Sequence, residues 1–394
     1  MQIITSTVQE PAAQALSFET PLENALYIDI ETTGLSAQQD RIWMIGCACF
    51  QGDSWHITQW FDDTGNSEKD LLVSFLAYAN PFGAFVHYNG DRFDIPFLTR
   101  RIEAYRIENT TINKRSIDLY KYVKPFRKLL ALPSYRLSSV VEFFGKTEAA
   151  TPSGKDLIAL YSSFLGNHLP ETVRTLSAHN VSDLAALLRI SPVVLLRRIF
   201  GAELTAESAR ANRYHDAEGV FRQEVIISCV PSRDMLAEQE DLPAGDETLI
   251  QRDADASRCS SSLWVRPVTA SADGCYFTTD GTHVTIKVPL YCQEMKYFYA
   301  NYKDYYYLPG QDLAMHKSIA SFVDSSRREQ AKAENCYTRK TSSFLPEWDA
   351  FRAPFFKKSY KDSGIFFEFT QKMKKDKDFF SAYATYIYRH IVQA

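Results

Sequence analysis

The first half of the chain alternates between hydrophobic patterns with a period of two and patterns with a helical period. In residues 26–31 (LYIDIE) the alternation predicts a strand with Tyr27, Asp29 and Glu31 on one face. Further strands are predicted at residues 42–50, from residue 55, and at residues 84–88. Helices are predicted around residues 71–76, from about Asp94, over 136–144 and over 169–190. Such a mixture favours a layered α/β domain with a mixed sheet.

The length and the local composition divide the chain into four parts. At roughly 150 residues per domain, 394 residues suggest two or three domains. A polar run at residues 235–262 is typical of a loop or linker. We therefore predict an N-terminal extension (1–23), an α/β domain (24–195), a connecting region with the polar linker (196–262) and an aromatic-rich C-terminal α+β domain (263–394).

The overall composition is that of a soluble globular protein. The chain has 44 basic and 48 acidic residues, a net charge of −4, and a hydrophobic fraction of 45%. These values exclude disordered, collagen-like and coiled-coil classes. No uncharged apolar run approaches the roughly 18 residues of a membrane span, and no secretion signal is recognised, so no membrane partner is expected. Seven cysteines without paired spacing indicate free thiols in a reducing, cytoplasmic setting.

Two carboxylates lie side by side on the first predicted strand of the α/β domain. Asp29 and Glu31 share a face, and two like charges on a buried strand are unfavourable unless they are protonated or neutralised by a cation. A divalent ion such as Mg²⁺ or Mn²⁺ suits such hard oxygen ligands. The alternative is the exposed face of an edge strand, on which the pair would be harmless.

Further acidic residues occur where a strand gives way to a helix and on the last helix of the domain. Asp94 follows the strand in HYNGDRFD, where a carboxylate also favours a helix N-terminus through the macrodipole. His179 and Asp183 are four residues apart and therefore share a helix face, which could also be a solvated surface. Each of these patterns is modest alone, and their order along the chain is the more informative feature.

The ordered motifs DIETTGL (29–35), HYNGDRFD (87–94) and HNVSD (179–183) resemble the three motifs of the DEDD exonuclease superfamily. Stretches at 116–126, 132–145 and 153–165 further resemble the YprB-type proteins of bacteria. The resemblance covers about residues 24–190. It implies a ribonuclease-H-like fold and a metal-dependent 3′→5′ exonuclease that releases nucleoside 5′-monophosphates from single-stranded nucleic acid.

The resemblance also implies roles for individual residues. Four carboxylates would bind two Mg²⁺ or Mn²⁺ ions: Asp29, Glu31, Asp94 and Asp183. His179 stands four positions before Asp183, the spacing of the tyrosine-type enzymes, so it is either the general base or a group that orients water. Three residues would contact the 3′ end of the substrate: Thr32, Leu35 and Asn89.

Basic and aromatic residues suggest how nucleic acid would be bound. Lys121, Lys124, Arg127 and Lys128 could follow a phosphate backbone, or they could form a solvated helix face. Residues 281–394 carry a net charge of +6, and their tyrosines and phenylalanines interleave with lysines, as in YFYANYKDYYYLP at 297–309. Such residues can stack bases, although they could equally form the aromatic core of a small domain.

Three functions remain open at this stage. The first is an active exonuclease that acts on a DNA or RNA 3′ end. The second is a non-catalytic nucleic-acid-binding module, against which the complete carboxylate set argues. The third is a proofreading or processing subunit that uses the C-terminal domain to dock a protein partner. The motifs do not distinguish the sugar of DNA from that of RNA.

Overall fold

The computed structural model describes residues 1–108, 112–145, 153–232, 266–349 and 351–394. The chain forms two compact units with a boundary between Gly201 and Ala202. Most of the predicted connecting region after residue 232, including the polar linker at 235–262, lies outside the described residues. None of the described helices is long and apolar enough to cross a membrane.

The first unit contains a six-stranded mixed sheet. Strand β2 is central, antiparallel to β3 on one side and parallel to β5 on the other, and the spatial order is β1-β4-β3-β2-β5-β6. The strands are β1 (Gln2–Val8), β2 (Ala25–Thr32), β3 (Ile42–Gln51), β4 (Ser54–Phe61), β5 (Ala84–His87) and β6 (Arg115–Asp118). The predicted mixed sheet and its strands in the 26–88 range are therefore confirmed.

Helices cover both faces of this sheet. Among the described residues, those of the first unit are α1 (Glu68–Ala79), α2 (Asp94–Ala104), α3 (Leu119–Val123), α4 (Leu137–Phe143), α5 (Gly154–Asn167), α6 (Pro170–Ile190) and α7 (Leu196–Gly201). One core packs the Ile28 and Ile30 side of β2 against α1 and α2. A second core packs Trp43 and Phe61 against α5 and α6. Because Asp29 and Glu31 alternate with the two isoleucines, they face the α6 side.

The N-terminal residues contribute to the sheet. Residues 1–23 were expected as an extension, but β1 pairs antiparallel with β4 from Gln2↔Phe61 to Val8↔Trp55. A 3₁₀ helix follows (Pro11–Phe18), and its Leu16 side chain is buried. The hydrophobic pattern missed β1 because five of its seven residues are exposed on this edge strand, so no apolar face distinguishes it.

The second unit is rich in β-structure. A long hairpin of β7 (Leu204–His215) and β8 (Phe221–Pro231) opens it, within the segment predicted as a connecting region. Three sheets have the orders β7-β8-β11-β10-β9, β12-β16-β18-β17 and β14-β13-β15. Their other strands are β9 (Val268–Ala272), β10 (Cys275–Thr279), β11 (Val284–Pro289), β12 (Tyr291–Phe298), β13 (Tyr305–Leu308), β14 (Leu313–His316), β15 (Glu329–Gln330), β16 (Tyr337–Glu347), β17 (Phe355–Phe356) and β18 (Ile365–Glu368). Two helices complete the unit, α8 (Lys317–Ala320) and α9 (Lys377–Gln393).

Aromatic residues build much of the second unit. Tyr383 of α9 is fully buried, and its ring lies 5.3 Å from those of Phe351 and Phe367. Several lysines of the region also pack on rings, as Lys296 Nζ does 4.0 Å from the centroid of Tyr337. The expected aromatic-rich second domain is confirmed, and many of its aromatic side chains form core contacts.

Candidate metal centre

The centre is built on the carboxyl end of β2. Asp29 is the cross-strand partner of Gly46 in β3, and Glu31 is the partner of Met44. The register shifts between Glu31 and Thr32, so regular pairing breaks directly after the second carboxylate. The central strand therefore delivers two acidic side chains to the sheet face that packs against α6.

Helix α6 contributes a histidine and a third carboxylate. His179 Nε2 lies 3.1 Å from Asp183 Oδ2, one helical turn further along, and 3.7 Å from Glu31 Oε1. Glu31, His179 and Asp183 each offer a ligand atom within 4.8 Å of the others. The helix face shared by His179 and Asp183 is thus turned toward β2, and the alternative of a solvated surface is excluded.

Asp94 joins the group from the N-terminus of α2. Its side chain is 8% exposed, and its Oδ1 accepts a hydrogen bond of 3.3 Å from the backbone N–H of Ile30, the residue between Asp29 and Glu31. Gly90 makes this approach possible, since a Cβ there would lie 2.6 Å from the His87 ring and 3.1 Å from Asp94 Oδ2. All four predicted carboxylates therefore meet at the end of β2.

The electrostatics of the centre favour a cation. Burial raises the pKa of Asp29 well above its usual range, and the charges of Asp183, Glu31 and Asp94 raise it further. Burial also raises the pKa of Glu31 and of Asp94. Carboxylates arranged in this way resist ionisation until positive charge is supplied. Their hard oxygen atoms, together with the nearby imidazole, fit a divalent metal such as Mg²⁺ or Mn²⁺.

A buried amide, which the sequence reading missed, contacts Asp29. Asn180 of α6 is fully buried, and its Nδ2 donates a 2.8 Å hydrogen bond to Asp29 Oδ2. Its Oδ1 accepts a 2.7 Å hydrogen bond from Gln59 Nε2 of β4. One signal in the sequence was Gly46 within an apolar strand, because such a glycine often marks a close approach of other atoms.

The turn after β2 carries two of the predicted substrate contacts. Thr32 is 8% exposed, and its Oγ1 donates to the carbonyl of Gly34 at 2.7 Å. Leu35 is 87% exposed at the tip of the turn. Gly34 permits this shape, since a Cβ there would lie 2.5 Å from Asp40 Oδ2. The turn therefore presents Leu35 as a large apolar side chain on the surface next to the end of β2.

Asn89 lies in the loop that connects β5 to α2. Its φ of 60° is the left-handed conformation, which asparagine tolerates better than most residues. Its backbone N–H donates a 2.7 Å hydrogen bond to Asp118 Oδ1, and that carboxylate oxygen also accepts from the N–H of Tyr120 at 3.1 Å. The loop ahead of Asp94 is thus fixed to the end of β6.

The predicted basic run divides into two kinds of residue. Lys124 and Lys128 are exposed. The Arg127 guanidinium instead donates to the carbonyls of Leu132 and Pro133, and its Cζ lies 4.8 Å from the centroid of the Tyr135 ring. The two lysine side chains are therefore open to solvent, whereas the arginine stabilises its own loop.

Comparison with known proteins agrees with this architecture. Residues 26–194 match the family model of the RNase H superfamily. A DNA polymerase III of the PolC type from Thermotoga petrophila is 29% identical over 160 residues, which span 34% of this chain and 11% of that polymerase. The match thus spans only about a tenth of that polymerase's length.

Two solved structures show more distant similarity. The family B DNA polymerase of the archaeon Pyrobaculum calidifontis aligns with 46% of this chain and 25% of its own, at 19% identity and a TM-score of 0.37. A zinc-bound complex of E. coli ExoI with ssDNA aligns with 57% of this chain and 60% of its own, at 14% identity and a TM-score of 0.29. The family match, the mixed sheet and its flanking helices together show that the chain carries a ribonuclease-H-like α/β domain, which is followed by a β-rich domain with aromatic clusters.

Proposed function

We propose that this protein is a metal-dependent 3′→5′ exonuclease of the DEDD type, related to the YprB-type proteins, that acts on single-stranded nucleic acid. The observation that carries the proposal is the convergence of Asp29, Glu31, Asp94 and Asp183. A binding module would lose stability by clustering four acids in this way, and a hydrolase that uses divalent metal ions needs them.

Four carboxylates would hold two Mg²⁺ or Mn²⁺ ions: Asp29, Glu31, Asp94 and Asp183. Two such ions supply Lewis acidity to a phosphodiester, activating the attacking water and stabilising the leaving oxygen. The buried position of Asp94 and Asp29 keeps these oxygens directed inward, and Glu31 and Asp183 face each other across His179.

We assign to His179 the removal of the proton from the attacking water. Its Nε2 lies between Asp183 and Glu31, at 3.1 and 3.7 Å, so the imidazole stands at the edge of the ligand cluster. From there it would accept the proton of the water as general base. The products would be nucleoside 5′-monophosphates.

The 3′ end would be held by residues around the centre. Leu35 offers an exposed apolar side chain that can pack against a terminal base, and Thr32 fixes the turn that carries it. Asn89 would contact the terminal nucleotide from the β5–α2 loop. Lys124 and Lys128, and more weakly Arg127, would follow the backbone of the strand.

The direct test uses 5′-labelled single-stranded DNA and RNA oligonucleotides with purified full-length protein. Reactions contain Mn²⁺, Mg²⁺ or EDTA, and Asp29→Asn serves as the isosteric inactive variant. A descending ladder that requires metal and disappears in the variant supports the proposal, and the faster ladder identifies the preferred sugar. Intact label in every lane, despite binding in a gel shift, would leave the non-catalytic binding module in its place.

A further inference from the structure

We infer that Asn180 is a positioning residue that fixes one carboxylate of the centre, Asp29, as part of a chain of side-chain hydrogen bonds. The inference rests on the proposed metal-dependent function and gives a role to Asn180, a residue within HNVSD (179–183) to which the resemblance assigns none. Asn180 lies between His179 and Asp183 along α6, and its buried side chain is hydrogen-bonded to Asp29 of β2 and Gln59 of β4. Its role would be to orient a metal ligand rather than to bind the metal.

The geometry across the sheet defines where Asn180 fits. Asp29 of β2 pairs with Gly46 of β3, and Gly46 in turn pairs with Gln59 of β4. The three residues form one row on one face of the sheet. A Cβ on Gly46 would lie 1.9 Å from Asn180 Oδ1, so the missing side chain provides the space that the amide fills. Asn180 consequently lies above Gly46, with Asp29 on one side and Gln59 on the other.

The hydrogen-bond chain has a single consistent polarity. An ionised Asp29 carboxylate can only accept, so the amide nitrogen of Asn180 must face it, at 2.8 Å. Asn180 Oδ1 then has to accept, and Gln59 Nε2 donates to it at 2.7 Å. Gln59 Oε1 accepts from Ser177 Oγ at 2.5 Å, and Gln59 Nε2 also donates to the carbonyl of Ser177 at 3.0 Å.

This arrangement matches what is needed to orient a metal ligand. The hydrogen bonds run from Ser177 of α6 to Gln59 of β4, return to α6 at Asn180, and end at Asp29 of β2. Asn180 and Gln59 are 0% and 1% exposed, so water does not compete for the hydrogen bond between them, and the bonds to Asp29 and Ser177 are partly buried. A carboxylate whose second oxygen accepts a hydrogen bond from a fixed donor keeps one rotamer even without bound metal. Loss of such a partner typically weakens metal affinity or activity about 10- to 100-fold.

The test compares Mn²⁺ affinity and turnover in Asn180→Leu, which keeps the branched shape of the side chain and removes the donor. We expect Mn²⁺ to bind Asn180→Leu about 10- to 100-fold more weakly than it binds wild type. Electron paramagnetic resonance of the free ion measures this affinity. The kcat on a labelled oligonucleotide should fall by a similar factor, whereas KM should change less than about twofold. The exposed Asn167→Ala, at the end of α5, is the matched asparagine control.

Two further variants separate positioning from folding. Ser177→Ala, at the far end of the chain, should weaken Mn²⁺ binding in the same direction by a smaller factor, and it decides the question if Asn180→Leu does not fold. In an Asp29→Asn background, Asn180→Leu should add no further loss of Mn²⁺ affinity, because Asn180 acts through Asp29.

An Mn²⁺ affinity and kcat equal to wild type in folded Asn180→Leu would overturn the inference, as would an additive loss in the Asp29→Asn background. Unchanged Mn²⁺ affinity in Ser177→Ala would do the same where Asn180→Leu is unfolded. The Mn²⁺ titration needs no turnover. Wild-type protein that binds Mn²⁺ but hydrolyses no oligonucleotide would therefore refute the proposed function and still leave the role of Asn180 testable.

Discussion

His179 Nε2 and Asp183 Oδ2 lie 3.1 Å apart across one turn of α6. The spacing of four residues is what brings them together, since side chains at i and i+4 stand one above the other on a helix. A spacing of five would rotate the imidazole about a further 100° around the axis. The four-residue spacing therefore brings the imidazole into direct contact with the last carboxylate.

Removing this imidazole should slow turnover far more than it changes substrate binding. For His179→Ala we expect kcat to fall by about 10²- to 10⁴-fold, the usual contribution of a general base, with KM changed by only a small factor. Steady-state assays of the labelled oligonucleotide measure both. His168→Ala, which alters a histidine just after α5, is the control. A His179→Ala enzyme within about threefold of wild type would assign the proton to another group.

The stability of the metal-free protein should fall with rising pH because of the same carboxylates. Burial raises the pKa of Asp29, Glu31 and Asp94 in the folded state, so above about pH 4 the folded chain holds more protons than the unfolded chain. The free energy of unfolding therefore decreases as pH rises toward the raised values, by about 1.4 kcal/mol for each unit of pKa shift.

Asp94→Asn isolates this effect. In EDTA the variant should unfold at a higher urea concentration than wild type at pH 8, and the difference should shrink to nothing as the pH falls below about 4, where the carboxyl becomes protonated in both states. Mn²⁺ should reverse the order at pH 8, because it binds the folded wild type more tightly. The exposed Asp53→Asn controls for net charge. A variant less stable than wild type at pH 8 in EDTA would contradict the electrostatic account.

Part of this centre was predictable from sequence because it depends on local periodicity. The alternation in β2 places Asp29 and Glu31 together, and the helical spacing places His179 beside Asp183. Their assembly with Asp94 required the resemblance to known motifs, since no local rule brings residues from β2, α2 and α6 to one point. Asn180 escaped notice because its role depends on the register of three strands, a long-range property.

The same limit explains the two differences in the fold. Strand β1 has too few buried residues to give a recognisable hydrophobic pattern, and it is its pairing with β4 that makes it a strand. The hairpin of β7 and β8 lies in the segment predicted as a connecting region, and it forms through the pairing of Ala211 with Val225 and of their neighbours. In both cases strand pairing outweighs local composition.

The exposed lysines should affect nucleic-acid binding without affecting stability. Neutralising two phosphate contacts in Lys124→Ala/Lys128→Ala should weaken binding of single-stranded oligonucleotides and reduce the slope of log affinity against log salt by about 1.4. Arg127→Ala should instead lower the melting temperature, because it removes two hydrogen bonds and the stacking on Tyr135. A fluorescence anisotropy titration at several salt concentrations measures the first effect. An unchanged salt slope would remove both lysines from the binding surface.

A substitution at Leu35 tests substrate contact with little effect on folding. Because its side chain is 87% exposed, Leu35→Ala should change the free energy of unfolding by less than about 0.5 kcal/mol. If the side chain packs against the terminal base, the same variant should raise KM severalfold, and the ladder should show more frequent release of partly digested strands. Leu169→Ala, a leucine that is 43% exposed at the start of α6, is the matched control and should leave KM unaltered. Equal KM values for Leu35→Ala and wild type would show that the 3′ end is held without the apolar tip of the β2–β3 turn.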